Sequence, residues 1–352
     1  MKPFRSFLQI SLKLENLLCT LHFRLTCRND RKFNQKQTKM TRRYLAFTFM
    51  LFITFSAFGQ KAPAVQVTPT PAQIIALTPK WEGPRFPDGR PKTPDNLLER
   101  LKDISIEEVW GTLRNKGYHN QFEGDWMILH EDQVMVGRAV TAQYMPLRPE
   151  WNDLIKEKGE AEGRIGGTNS WPIDVLVPGD IYIADSYGKI VGGTLIGDNL
   201  GNSIYSKSKN GVIFYGSVRD AEGLSEIDGF NMWVKGYDPS FIQEMMLASI
   251  NNPIRIGRAT ILPGDVILAK KGGIIAIPPH LLEELVINAE FIALRDSFGH
   301  QRLREGKYTP GQIDRQWSDE IKEDFLKWLD ANADKLPMSR AELDEYMKNR
   351  TW

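Results

Sequence analysis

Cysteine is scarce in this chain of 352 residues: Cys19 and Cys27 are the two it has. Every residue after position 27 therefore folds without a disulfide. Histidine is nearly as rare. His22, His119, His130, His280 and His300 are scattered, and neither an HExxH nor a CxxC spacing occurs. That excludes zinc held by the usual pairs of His and Cys ligands. An excess of one charge is missing too. Lys and Arg total 45 against 44 Asp and Glu, a formal net charge of +1. No whole-chain basic field favours nucleic acid, so no nucleic-acid partner is expected. Internal repeats and a glycine-rich methyl-donor loop are also absent. What remains is 41% hydrophobic and 25% charged residues, the balance of a soluble globular protein.

The one marked apolar run, Tyr44 to Phe55, is too short for a comfortable membrane span. It follows Met40, Arg42 and Arg43 and precedes Ser56, Ala57 and Gly59. A basic start, an apolar middle and a small-residue end describe an export signal over residues 40–59. Residues 1–39 then lie upstream of a natural start at Met40. The expectation is an exported protein, periplasmic or secreted, with no stable membrane insertion once the signal is removed. Residues 60–94 are rich in proline ("KAPAVQVTPTPAQ", "GPRFPDGRPKTP"). Proline removes backbone donors and disfavours helix before it, which predicts a tether or surface arm.

From residue 95 the pattern is α/β. "TPDNLLERLKDIS" and "SIEEVWGTLRNKG" predict two helices, the second ending at Gly117. Strands are predicted over 134–145, 180–185, 189–196, 211–217, 230–237, 258–270 and 273–278. A long helix follows over 279–303, then two more over 318–330 and 339–348, the last opening with the capping pattern "SRAE". These boundaries give a catalytic domain over 95–310 and a C-terminal helical extension over 311–352.

The stretch "GDNLGNSIYSKSKNGVIFYGSVRD", residues 197–220, carries the chemistry. With strands at 189–196 and 211–217 and a helix over 199–209, it predicts a right-handed βαβ unit. Asp198 then lies at the carboxyl end of one strand, and Arg219 with Asp220 at the carboxyl end of the other. Both open on the sheet edge where α/β proteins bind ligands. Gly197 and Gly201 allow close backbone approach, and the amides of Asn199, Leu200 and Gly201 offer an anion cradle. Two carboxylates with no nearby His or Cys suit Mg²⁺ or Mn²⁺. Arg219 suits a carboxylate or a developing enolate oxygen. A small 2-keto acid satisfies this set. Taken singly, Asp198 is equally a helix cap, and Arg219 with Asp220 a surface turn pair.

Twenty residues separate Asp198 from Arg219, so the segment fits D-x20-R-D. With "VGRAVTA", "LVPGDIYIAD", "ILPGDVILAKKGGIIAIP" and "LREGKYT" in the same order, it resembles the RraA-like family over residues 95–310. That family includes 4-hydroxy-4-methyl-2-oxoglutarate aldolases and regulators of ribonuclease activity. The resemblance implies a layered β/β/α domain that forms homotrimers or hexamers. It implies that Asp220 coordinates the metal directly, that Asp198 acts through a metal-held water, and that Arg219 binds the keto acid and stabilises a pyruvate enolate. Gly197, Asn199 and Leu200 would bind the substrate carboxylate, and Asp296 would stand near a carboxylate lent by a neighbouring subunit. The implied activity is retro-aldol cleavage, extending to oxaloacetate decarboxylation. A non-catalytic trimeric regulator and an exported sugar-acid-binding protein are the alternatives.

Other features have blander expectations. Trp126, Trp151, Trp171 and Trp233 are expected in the core or at subunit contacts rather than as a ligand wall. His119 and His130 have no catalytic partner motif. Asp180 and Asp265, each in a "PGD" turn, are expected to bond their own turn amides. Residues 149–175 could form a lid or recognition loop, with "EKGEAEGR" as a solvated loop within it.

Overall fold

The computed structural model describes residues 65–348. The upstream segment 1–39, the export signal 40–59 and both cysteines lie outside the described residues.

The chain opens with helices α1 (Pro71–Leu77), α2 (Asp95–Leu101) and α3 (Ile106–Asn115). At α3, Ser105 and Glu108 form a reciprocal capping box, and Gly117 turns the chain at a φ of 87°. Strands β1 (Phe122–Glu123), β2 (Met127–Ile128) and β3 (Met135–Pro146) follow, then helices α4 (Pro149–Ala161) and α5 (Trp171–Asp174). Next come β4 (Asp180–Asp185), α6 (Asp198–Ser208), β5 (Val212–Val218), α7 (Ala221–Ser225) and β6 (Met232–Tyr237). Strands β7 (Met245–Ile250), β8 (Ile254–Ile256), β9 (Ala259–Ile261), β10 (Val266–Lys270) and β11 (Gly273–Ile277) complete the β content. Helices α8 (Leu282–Arg304), α9 (Pro310–Ile313), α10 (Asp319–Ala331) and α11 (Arg340–Lys348) close the chain.

Nine strands form one mixed sheet in the order β1-β11-β10-β3-β4-β5-β6-β2, with β7 pairing β3. The middle is parallel: β3 with β4, β4 with β5 and β5 with β6. β4 is buried along its whole length, as expected of a parallel strand covered on both sides. Leu97, Leu101, Val109 and Leu285, from α2, α3 and α8, pack with Val266, Leu268 and Ile275 of β10 and β11. Ile155, Trp171 and Ile204, from α4, α5 and α6, pack with Val140, Tyr182 and Phe214. The C-terminal extension builds its own cluster. Phe325 and Trp317 meet Phe298 of α8, with ring centroids 5.3 Å apart in each case. The expected mixed α/β class and C-terminal helices are present, and the Ser339–Glu342 cap forms as predicted.

Three expectations change. The predicted strand 258–270 is two strands, β9 and β10, which lie in separate sheets on either side of the turn that Asp265 closes on the Leu262 amide. The arm is seated rather than trailing from residue 65 onward. Val67 and Ile74 are fully buried, and Arg90 forms a two-pronged ion pair with Asp180, 3.0 Å at each prong. Burial disfavours the Arg90 charge, but Asp180 and Asp88 outweigh it and hold its pKa above the ordinary value. The apolar stretch 189–196 is not a strand. The chain leaves the sheet after β4, turns through Gly188 and Gly192 at φ values of 74° and 66°, and rejoins at Thr194. There a single parallel bridge joins Thr194 to Ser217.

Candidate active site

The excursion preserves the geometry expected at 197–220. Residues 194–196 prolong the line of β4 beside β5: the Leu195 amide donates to Ser217 O and the Arg219 amide to Ile196 O, both at 3.1 Å. Asp198 opens α6 directly after this segment. Arg219 and Asp220 follow the end of β5, so both chain reversals leave the same edge of the sheet.

Gly197 sets how close the two halves come. A Cβ there would lie 2.2 Å from Asp220 Oδ2 and 3.0 Å from Arg219 Nε. The glycine is required by proximity, since its own φ of −120° suits any residue. Arg219 Nε donates to Asp220 Oδ2 at 3.2 Å. Both side chains are a little over two-fifths exposed, so the pair contributes little to stability. Asp220 adopts a left-handed conformation, φ 54° and ψ 43°. That costs of order 1 kcal/mol for a residue with a Cβ, and such strain collects at functional sites.

Asp198 is the first helical residue; Gly197 holds the cap position. A Cβ on Gly223 of α7 would lie 2.9 Å from Asp198 Cβ and 3.1 Å from its Oδ2, so α7 carries the Asp198 side chain on bare backbone. The Asp198 carboxylate accepts from the Asn199 amide at 2.8 Å, and the Gly201 amide is committed to Gly197 O at 2.9 Å. The expected three-amide cradle is therefore narrower. Among the described residues, only the Leu200 amide of the three has no acceptor. Gly201 serves packing instead, because a Cβ there would meet Leu224 Cδ2 at 2.3 Å.

The cleft over this edge has a volume of about 100 Å³. Gly197, Asp198, Asn199, Leu200 and Arg219 line it; Asp220 is not in its wall and borders it through its contact with Arg219. Asn169, Thr194, Phe241 and Ile242 line it too. None of those last four carries a local sequence signal. Asn169 comes from the 149–175 segment, and its Nδ2 donates to Leu195 O at 2.7 Å. That segment does reach the cleft, although its "EKGEA" portion is the end of α4 rather than a loop.

The remaining candidates lie elsewhere. Trp171 and Trp233 are buried core, and Trp233 Nε1 donates to Lys270 O at 3.1 Å. Trp151 packs against the core, and the ring of Trp126 supports Lys235 Nζ at 4.2 Å. His130 pairs through its backbone with Asn231, and His119 is exposed. Asp296 lines an opening against Trp317 of the extension, away from Asp198 and Asp220. Asp180 and Asp265 make the expected turn bonds, to the Val177 and Leu262 amides.

The donor set tests the expected cation. Asp198 and Asp220 supply only carboxylate oxygens, which fit a hard ion such as Mg²⁺ or Mn²⁺. Among the described residues, no group of three or more His, Cys, Asp or Glu gathers around one point. A bound ion would therefore take most of its shell from water and substrate, as Mg²⁺ commonly does.

The model of the RraA-like family, described as Aldolase/RraA, matches residues 103–276. Residues 103–276 form a domain of the RraA-like family. Protein DlpA of Legionella pneumophila is 27% identical over 198 residues, which cover 55% of this chain and 29% of that protein. The match thus spans less than a third of the Legionella protein's length. A Pseudomonas syringae protein, provisionally named a 4-hydroxy-4-methyl-2-oxoglutarate aldolase, is 26% identical over 132 residues, 38% of this chain and 72% of its own. The RraA-like fold is shared with Streptomyces coelicolor RraAS2, described as an unusual member of the RNase ES inhibitor RraA protein family. Its TM-score is 0.52 at 23% identity, covering 60% of this chain and all of that one.

Proposed function

We propose that this RraA-like domain is a divalent-cation-dependent lyase that splits a small 2-oxo acid by retro-aldol cleavage. 4-Hydroxy-4-methyl-2-oxoglutarate is the model substrate and oxaloacetate decarboxylation a side activity. The observation that carries this reading is the bare Cα of Gly197, which admits the Asp220 carboxylate and Arg219 over the start of α6 beside Asp198. Asp220 and Asp198 are the residues that would hold the cation. When bound, the ion supplies a positive charge that draws electrons from the oxo group.

The chain's own groups account for the rest. The Leu200 amide and the Arg219 fork can bind the substrate carboxylate. As the bond between carbons 3 and 4 breaks, the electron pair moves into the 2-oxo fragment as an enolate. Arg219 can offset its negative oxygen. Asp198, placed at the open end of α6, can take the proton of the departing hydroxyl through a water. Asn169, Phe241 and Ile242 complete the lining of the cleft.

The purified protein with Mg²⁺ or Mn²⁺ should release pyruvate from both acids, and Asp220→Ala should abolish the metal-dependent part. No turnover from either acid, with unchanged thermal stability on adding metal and pyruvate, would instead assign a binding protein on this scaffold. By the family resemblance we also expect a homotrimer or hexamer, measurable by light scattering. The layout of residues 40–59 supports export; the native N-terminus, read by mass spectrometry, should then lie near Gln60.

A further inference from the structure

A second opening, of about 300 Å³, lies where the arm meets the turn between β9 and β10 and the start of α8. Its walls are largely apolar: Leu77, Pro79, Leu262, Pro278 and Pro279. Asp265 lines it and is itself 98% buried, with 2% exposure. One carboxyl oxygen accepts the Leu262 amide at 2.8 Å. The other is buried and has no hydrogen-bond partner among the described residues. An unmet buried carboxyl oxygen costs free energy unless something pairs with it. Burial also raises the Asp265 pKa to about 7, so near neutral pH the carboxyl can donate or accept.

The mouth narrows the chemistry. Tyr118 Oη lies 3.4 Å from His280 Nε2. Burial first, then the charges of Lys80 and Lys116, lower the His280 pKa from its ordinary 6.5, so the ring is neutral at pH 7. Lys80, which lines the opening, opposes a cationic ligand. The acidic floor and apolar walls oppose an anionic one. We propose that this opening is a binding site for a small uncharged alcohol or phenol, its hydroxyl on Asp265 and its carbon body on the proline-lined walls. The volume is at the lower end for such sites.

Four probes of similar size separate the chemistries: phenol, toluene, benzylamine and benzoate. Their affinities for the full chain can be read by ligand-observed NMR titration. Phenol should bind at least about tenfold tighter than toluene, the usual return on one good buried hydrogen bond. Benzylamine and benzoate should be weaker than phenol. Asp265→Leu should make phenol and toluene equal. Thr260→Trp, at an exposed position on the rim, should weaken both and does not disturb the core. Benzylamine binding tightest would overturn the ligand class. Phenol binding unchanged by Thr260→Trp, or no probe binding at all, would overturn the site and leave Asp265 to a trapped water.

Discussion

Gly197→Ala isolates the geometry of the proposed active site from its fold. The added Cβ would lie 2.2 Å from Asp220 Oδ2 and 3.0 Å from Arg219 Nε. Comfortable contact is roughly 3.5 Å, so the carboxylate must retreat by about 1 Å. A displacement of that size at reacting groups costs on the order of a hundredfold in rate. Stability should hardly change. The displaced atoms end flexible side chains a little over two-fifths exposed, and the backbone at Gly197 suits alanine. Alanine caps a helix less well than glycine, by about 0.5 kcal/mol or more. Reduced freedom of the unfolded chain offsets this by about 0.4–1 kcal/mol. The net change should stay within about 1 kcal/mol, a few degrees in melting temperature. The assay is pyruvate release with Mg²⁺, alongside thermal unfolding. Wild-type kcat/KM in a folded Gly197→Ala variant would refute the claim that Asp220 and Arg219 work at this position.

Three further substitutions test separate parts of the molecule. Asp220→Gly should raise stability by about 1 kcal/mol, since it relieves the left-handed backbone, while turnover disappears; denaturant unfolding and the pyruvate assay read the two effects. Arg90→Ala should cost roughly 3–5 kcal/mol, because it strands Asp180 as an unpaired buried charge. Adding Asp180→Asn should recover part of that loss, and no recovery would mean that Arg90 acts by packing alone. Asp265 links stability to pH. Its folded pKa of about 7 exceeds the ordinary 3.8, so the native state holds the proton more tightly than the unfolded chain does. This stabilisation is full below the unfolded pKa and is lost as pH rises through about 7. Asp265→Asn should therefore gain on the wild type by up to about 3 kcal/mol between about pH 5 and about pH 8. A constant difference across that range would show that the carboxyl is already ionised at pH 5.

What could be read in advance follows from how local each signal is. Strands β3, β4, β5, β6, β10 and β11 are runs of branched and aromatic residues closed by Gly, Pro or Asp turns, and such runs identify themselves. "KIVGGTLI" shows the same apolar content yet stays outside the strands. Gly192 takes a positive φ, and a Cβ on Gly193 would sit 2.3 Å from Lys189 O, so the pair folds a tight turn that alternation alone does not reveal. The proline-rich arm was equally opaque. Proline predicts extended backbone, but the docking of Arg90 depends on Asp180, ninety positions away.

The candidate site divides along the same line. Asp198, Arg219 and Asp220 were legible because one crossover unit carries them at fixed spacing, and the parallel pairing of residues 194–196 with the end of β5 brings them to one edge. Asn169, Phe241 and Ile242 enter the cleft from segments up to about seventy residues apart, with no motif of their own. The division has a chemical meaning. The spaced residues are those that the proposed bond cleavage requires, and their neighbours Gly197 and Gly223 have no room for a Cβ beside them. The unspaced residues shape the entrance, where a different side chain would change which acid fits while leaving the cleaving groups in place. Substitution at Phe241, which is 61% exposed, should accordingly alter KM between acids of different length and leave kcat within about threefold. A comparable loss of kcat for every acid would mean that Phe241 belongs to the reacting groups.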